Sequence, residues 1–248
     1  MTTDEPDARP TGAVASLQDP PSLVPSGLRF KDRHDAGRQL AALLDPYCGE
    51  HPVVVGIPRG GVPVAAEVAH ALGAPLDVAI VRKVGAPQNP EYAIGALAEG
   101  GVHVISERTV LALGISREQL RGLIKRADDE LAEQLSRYRG DREPVALAGR
   151  AAILVDDGLA TGRSALAAAI SLRKRGATRV ILAVPVAAPE SVDALRAEAD
   201  EVVCVEIPHD LWAVGYWYED FRPTSDAEVA GLLARGNTSS EQRAWRCR

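Results

Sequence analysis

The sequence predicts an α/β protein, a parallel β-sheet flanked by helices, and three observations carry that expectation. Short β-branched or apolar runs recur along the 248 residues: VVVGI (53–57), LDVAIVR (76–82), AAILV (151–155), RVILAVPV (179–186) and EVVCVEI (201–207). Stretches with apolar residues at helical spacing lie between most of them. Strands alternating with helices imply βαβ units, whose parallel strands are covered on both faces and so read as unbroken apolar runs. Third, charged and glycine-rich segments follow several of these runs directly, at the carboxyl ends where such sheets collect ligands.

The elements follow in order. Residues 30–44 (FKDRHDAGRQLAALL) form a helix with Ala36, Leu40, Leu43 and Leu44 on one face. After VVVGI, residues 61–73 (GVPVAAEVAHALG) make a helix that ends at Gly73. LDVAIVR is the second strand, and KVGAPQNPEY (83–92) is a loop rich in Gly, Pro and Asn. AIGALAEG (93–100) and VHVIS (102–106) are short strands, and a long charged helix runs from Ser116 to about Arg139. AAILV, a helix over 164–175, RVILAVPV, a helix over 189–199 and EVVCVEI complete the sheet. Residues 1–27, acidic and rich in proline, are expected to be a disordered tail. One domain then covers 28–235, with 236–248 a loose C-terminal tail.

Composition narrows the partners. The chain is 46% hydrophobic and 25% charged, an ordinary globular balance, with a formal charge of −6. No global field attracts nucleic acid or an anionic membrane, so the expected partner is small, and any anion must meet locally placed cations. Cys48, Cys204 and Cys247 form no CxxC pair for zinc or redox work. A disulfide framework is not expected, which suits a cytoplasmic protein. No signal peptide or membrane-spanning run is visible.

The most informative stretch is ILVDDGLATGRS (153–164). A buried strand drives into Asp156 and Asp157, and a loop of Gly158, Leu159, Ala160, Thr161, Gly162 and Arg163 leads to a helix starting near Ser164. A helix N-terminus presents unpaired amides and a positive dipole end to a phosphate. Thr161 and Ser164 add hydroxyls. The paired carboxylates suit the adjacent hydroxyls of a ribose. Phosphate at one end and diol at the other describe a ribose 5-phosphate. An acid pair here could also cap its own loop, or serve a receiver-type phosphoacceptor site. The second option needs a lysine at a later strand end, and the only lysine beyond Asp157 is Lys174, within a helix.

These residues resemble the motif for 5-phosphoribosyl 1-pyrophosphate (PRPP) in type I phosphoribosyltransferases, with Gly158 where that family usually has an aliphatic residue. Two further loops are similar to parts of the same family. Arg59-Gly60-Gly61, after VVVGI, resembles its pyrophosphate loop, although an Arg-Gly-Gly segment alone also makes an ordinary turn. Arg82-Lys83 resembles the start of its mobile catalytic loop, although two cations at a strand end can equally be a solvated edge. The resemblance implies displacement of pyrophosphate from C1 of PRPP by a ring nitrogen. Arg59, Arg82 and Lys83 would then offset the leaving group's charge, while Asp156 and Asp157 hold the ribose and its Mg²⁺.

The segment EIPHDLWAVGYWYEDFR (206–222) concentrates aromatics in a chain with only 4% of them. It resembles the small hood of hypoxanthine-guanine-type enzymes, here about 207–235 plus an N-terminal segment over the strand ends. That likeness puts Trp212 and Tyr216 against a base and Glu219 near metal, while packing against the sheet would explain the same aromatics. Ala160 replaces the family's acid for a 6-oxopurine, and LAVPVAAPES offers no lysine for the purine oxygen. Both departures argue against a 6-oxopurine, and Ala160 agrees better with the adenine-type pattern, whose mobile loop contributes a Glu and makes Glu91 of NPEY the candidate general base. PRPP and a nucleobase-like molecule are the implied partners, and a homodimer is left open. Two other functions fit less well. A PRPP- or nucleotide-sensing regulator of the same fold would not need basic groups in two loops. An enzyme using ribose 1-phosphate would not need a pyrophosphate loop.

Overall fold

A computed structural model describes residues 29–196 and 198–242; the expectations for residues 1–27 and 243–248 lie outside the described residues. Five strands, β1 (Val53–Gly56), β2 (Leu76–Val78), β6 (Ala151–Val155), β7 (Arg179–Val186) and β8 (Glu201–Glu206), form a parallel sheet in the order β2-β1-β6-β7-β8. Side-chain alternation feeds two cores. Val54, Ile153, Val155 and Ile181 pack with α1 (Arg33–Leu44), α2 (Gly61–Leu72) and α7 (Asp226–Gln242). Val55, Leu154, Leu182 and Val184 pack with α5 (Arg163–Lys174) and α6 (Pro189–Leu195). The sheet is therefore covered on both faces, as its unbroken apolar strands require.

A second, antiparallel sheet holds β3 (Val81–Ala86), β4 (Asn89–Ala98) and β5 (Val102–Ile105). It corrects two expectations. LDVAIVR is two strands: β2 pairs with β1, and the chain then leaves the main sheet after Val78 so that Val81 can pair with Ala98. One apolar run cannot announce which sheet each half joins. KVGAPQNPEY is no loop either; Ala86 pairs with Asn89 across a two-residue turn, making a hairpin with a register shift at Gly85. Its Gly and Pro mark a bulge and a turn, which composition does not separate from a mobile segment.

The helices match the expected ones where an apolar face is clear. The helix α4 (Arg117–Arg139) begins at a capping box in which Ser116 and Gln119 bond reciprocally. The short α3 (Glu107–Ala112) and α7 are additional to the expected elements. Because α7 reaches Gln242, residues 236–242 continue a helix in place of the loose tail expected there. Cys48 is disulfide-bonded, while Cys204 is a free thiol.

Candidate active site

The strand order reverses between β1 and β6, whose ends lie in register, Gly56 beside Val155. Such a switch point opens a crevice between the two loops that follow. The first loop crosses from Ile57 to α2. The second runs from Asp156 to α5. They touch: a Cβ added to Gly60 would fall on the Asp157 carboxylate, so only glycine lets the two loops approach this closely.

The second loop is fixed by its own backbone. Leu159 donates to the Val186 carbonyl at 2.9 Å and accepts from Ala188 at 2.9 Å, while Ser191 Oγ donates to the Ala160 carbonyl at 2.8 Å. Gly162 has φ of 66° and adjoins Leu195, so a side chain there would be both strained and obstructed. From it α5 starts with no side-chain cap, leaving its first-turn amides for a ligand rather than for the protein's own oxygens. Thr161 is exposed and Ser164 half-buried beside that terminus. Arg163 lies against the hairpin, its Nη1 3.4 Å from the Ala93 carbonyl. Gly158 also has a reason now: a Cβ there would meet the Val214 side chain of the segment above.

Two adjacent acids at a buried strand end repel and are poorly solvated. Burial first, and then the Asp157 charge, hold the Asp156 carboxyl well above its ordinary range. Burial likewise raises Asp157, opposed by Arg33. Arg33 Nε donates to Asp157 Oδ2 at 2.8 Å, and the Asp157 amide donates to Asp156 Oδ1 at 2.9 Å. Sequence reasoning missed Arg33, which is 124 positions from its partner and carries no local signal. It also missed Tyr218, whose hydroxyl donates to the Asp157 carbonyl at 2.7 Å, although its place in the aromatic segment is a signal that could have found it.

The cations divide. Arg59 and Arg82 line one polar cavity of about 400 Å³ beside Pro58, Val81, Tyr138 and Asp226. Arg82 Nη2 lies 2.7 Å from Glu130, and Arg59 Nη1 lies 3.9 Å from Asp226. Lys83 is exposed and points to the other face of β3, because neighbours on a strand alternate. The structure thus brings Arg59 and Arg82 together and sets Lys83 apart from them. Glu91 is a residue of β4, in the hairpin; its side chain lies outside the described residues.

Beyond β8, residues 207–225 fold over the strand ends. Trp217 and Tyr218 are buried with Phe30, so packing explains them. Trp212 and Tyr216 are different, 69% and 44% exposed, and serve no core. Glu219 is exposed, and its amide donates to the Phe30 carbonyl at 2.8 Å. Among the described residues no three His, Cys, Asp or Glu side chains converge as a metal site. The donors present are the two carboxylates.

Comparison with known proteins agrees with this geometry. A family model described as a phosphoribosyl transferase domain matches residues 32–220. Two curated relatives from Mycobacterium tuberculosis, strains CDC 1551 and H37Rv, carry provisional phosphoribosyl transferase names. Each is 45% identical over 208 residues, covering 84% of this chain and 47% of the relative. The chain therefore spans about half the length of the curated relatives it matches. The crystal structure of TT1426 from Thermus thermophilus is 47% identical, covers 84% of this chain and 98% of that one, and has a TM-score of 0.73. With the family match enclosing both strand-end loops, the chain belongs to the type I phosphoribosyltransferase family.

Proposed function

We propose that this protein transfers the 5-phosphoribosyl group of PRPP to a nucleobase or similar nitrogen heterocycle and releases pyrophosphate. One observation carries the proposal: at the switch point, an acid pair and an uncapped helix N-terminus form one loop, and Gly60 of the basic Arg59-Gly60-Gly61 loop packs on that acid pair. The α5 amides, Thr161 and Ser164 would take the 5-phosphate. Asp156 and Asp157 would accept from the ribose hydroxyls. Arg59 and Arg82 lie at one cavity and would balance charge on the departing pyrophosphate.

The donor set fits Mg²⁺. Two hard carboxylates, without a third ligand among the described residues, match an ion that is held mainly by substrate oxygens and water. When bound with PRPP, the ion would neutralise pyrophosphate charge. Asp156 and Asp157 would hold it through the substrate, and Glu219 is a weaker candidate at the hood. Trp212 and Tyr216 offer exposed rings on the segment over the strand ends, where a flat heterocycle could stack.

Incubation with Mg²⁺, PRPP and a panel of nucleobases should release pyrophosphate with at least one acceptor. Absence of both pyrophosphate release and PRPP binding would remove the proposal; binding without release would favour a sensor of the same fold. Glu91 is the proposed general base, so Glu91→Gln should lower kcat by about 10²-fold. Undiminished turnover in that variant would exclude it.

A further inference from the structure

The two aspartates at the end of β6 are held differently. Asp156 is fixed by the amide of its neighbour. Asp157 is fixed by residues far away in sequence: Arg33 from the start of α1 bonds Oδ2 at 2.8 Å, and Tyr218 bonds the main-chain carbonyl at 2.7 Å. Arg33 is itself immobilised and only 11% exposed. Its guanidinium carbon lies 3.9 Å from the centre of the Phe221 ring and 5.9 Å from that of Tyr218. Its Nη1 donates to the Arg222 carbonyl at 2.8 Å. The Phe221 and Tyr218 rings are 4.9 Å apart, and Tyr218 is 5.4 Å from Phe30.

A planar guanidinium can stack on a ring and bond in its plane at once, which an ammonium cannot. An ionised carboxylate offers about four acceptor positions on two oxygens. With Oδ2 bonded to Arg33, Asp157 keeps one rotamer and retains Oδ1 for a ligand. The same arginine bonds or stacks on residues 218, 221 and 222 of the segment over the strand ends. A displacement of that segment would therefore be felt at the carboxylate.

We infer that Arg33 is a positioning residue for the ribose: with Phe221 it clamps Asp157 so that the free oxygen meets the diol, and it makes the hood and the ribose subsite one mechanical unit. The inference rests on the phosphoribosyl-transfer proposal. Arg33 acts through Asp157 and touches no reacting atom.

Calorimetric titration with Mg²⁺-PRPP, and separately with inorganic phosphate, tests it on the wild-type chain and on Arg33→Ala, Arg33→Lys, Asp157→Asn, Phe221→Leu and the double variant Arg33→Ala/Asp157→Asn. Phosphate would use the α5 amides with Thr161 and Ser164 and not Asp157, so a general loosening of the fold would weaken it as well. Arg33→Ala should weaken PRPP about tenfold, the scale of one hydrogen bond to a charged group, and leave phosphate affinity in place. Arg33→Lys should recover part of the loss, and Phe221→Leu should reproduce part of it. Adding Arg33→Ala to Asp157→Asn should cost nothing further, because the first residue works through the second. Unchanged PRPP affinity in Arg33→Ala, additive losses in the double variant, or an equal loss of phosphate affinity would overturn the inference and leave the proposed function standing. A wild-type chain that binds no PRPP overturns both. Should Arg33→Ala fail to fold, Arg33→Lys and Phe221→Leu carry the same comparison.

Discussion

Two clusters of arginine and carboxylate adjoin the same parallel sheet, and they differ in charge balance. At the end of β6, Asp156 and Asp157 share one arginine, Arg33. At the sheet edge, Asp77 and Glu99 face two arginines. Arg139 lies 3.0 Å from Asp77 and 2.8 Å from Glu99; Arg175 lies 2.9 Å from Asp77 and 3.6 Å from Glu99. Asp77 also accepts the amides of Val78 and Val145. Both clusters are shielded from water, so each charge needs a partner. The balanced one pairs its charges and ties β2 to the turn after β4 and to the C-terminal ends of α4 and α5. The unbalanced one leaves an acid without a cation of its own, its ionised form disfavoured by burial and by its neighbour, at the crevice where the strand order reverses. An acid in excess there has a physical use once a ligand supplies cations or hydroxyls. Balance marks architecture, and imbalance marks a site.

The largest test of that contrast is Arg139→Ala. It strips a partner from two buried acids and should lower the unfolding free energy by about 3–5 kcal/mol, read from urea melts. Turnover per folded molecule should not change. A loss of about 1 kcal/mol or less, typical of an exposed pair, would mean that this cluster is not the closed structural unit described.

Asp156→Asn should do the reverse. Removing a carboxyl whose ionised form folding disfavours should raise Tm by about 2–4 °C, the equivalent of roughly 1 kcal/mol in a domain of this size. Activity should fall by about 10²-fold in kcat/KM, or roughly 2.7 kcal/mol of transition-state stabilisation. A lower Tm would reassign the acid pair to stability and erase the contrast.

The smallest expected effect sharpens the contrast within the hood. Trp217 is 6% exposed and packs on Phe30, whereas Trp212 is 69% exposed. Trp212→Ala should leave Tm unchanged and raise the acceptor KM about fivefold to tenfold, the scale of one stacked ring. An unaltered KM for every acceptor that is turned over would remove Trp212 from the base subsite.

How much of this is legible in the sequence differs by region. The ends of β1 and β6 are readable because motif and strand are contiguous: ILVDD is at once a buried run and the acid pair, and RGG follows its strand directly. The hairpin escapes because Gly85, Pro87 and Pro90 signal a turn or a bulge as well as a loop. Arg82 and Lys83 read as a pair because they are adjacent, yet strand alternation sends them to opposite faces. Arg33 is invisible, since nothing near it in sequence announces a contact with residue 157.

By itself the sequence determined the alternating α/β plan, the family and the two loops that meet at the switch point. Those depend on hydrophobic period and on short motifs, which are properties of neighbouring residues. Only the tertiary structure decided which acid is clamped, which arginines share a cavity and which tryptophan stays exposed. Each of those is a pairing across tens of residues or more, settled by how the layers pack and not by any local preference.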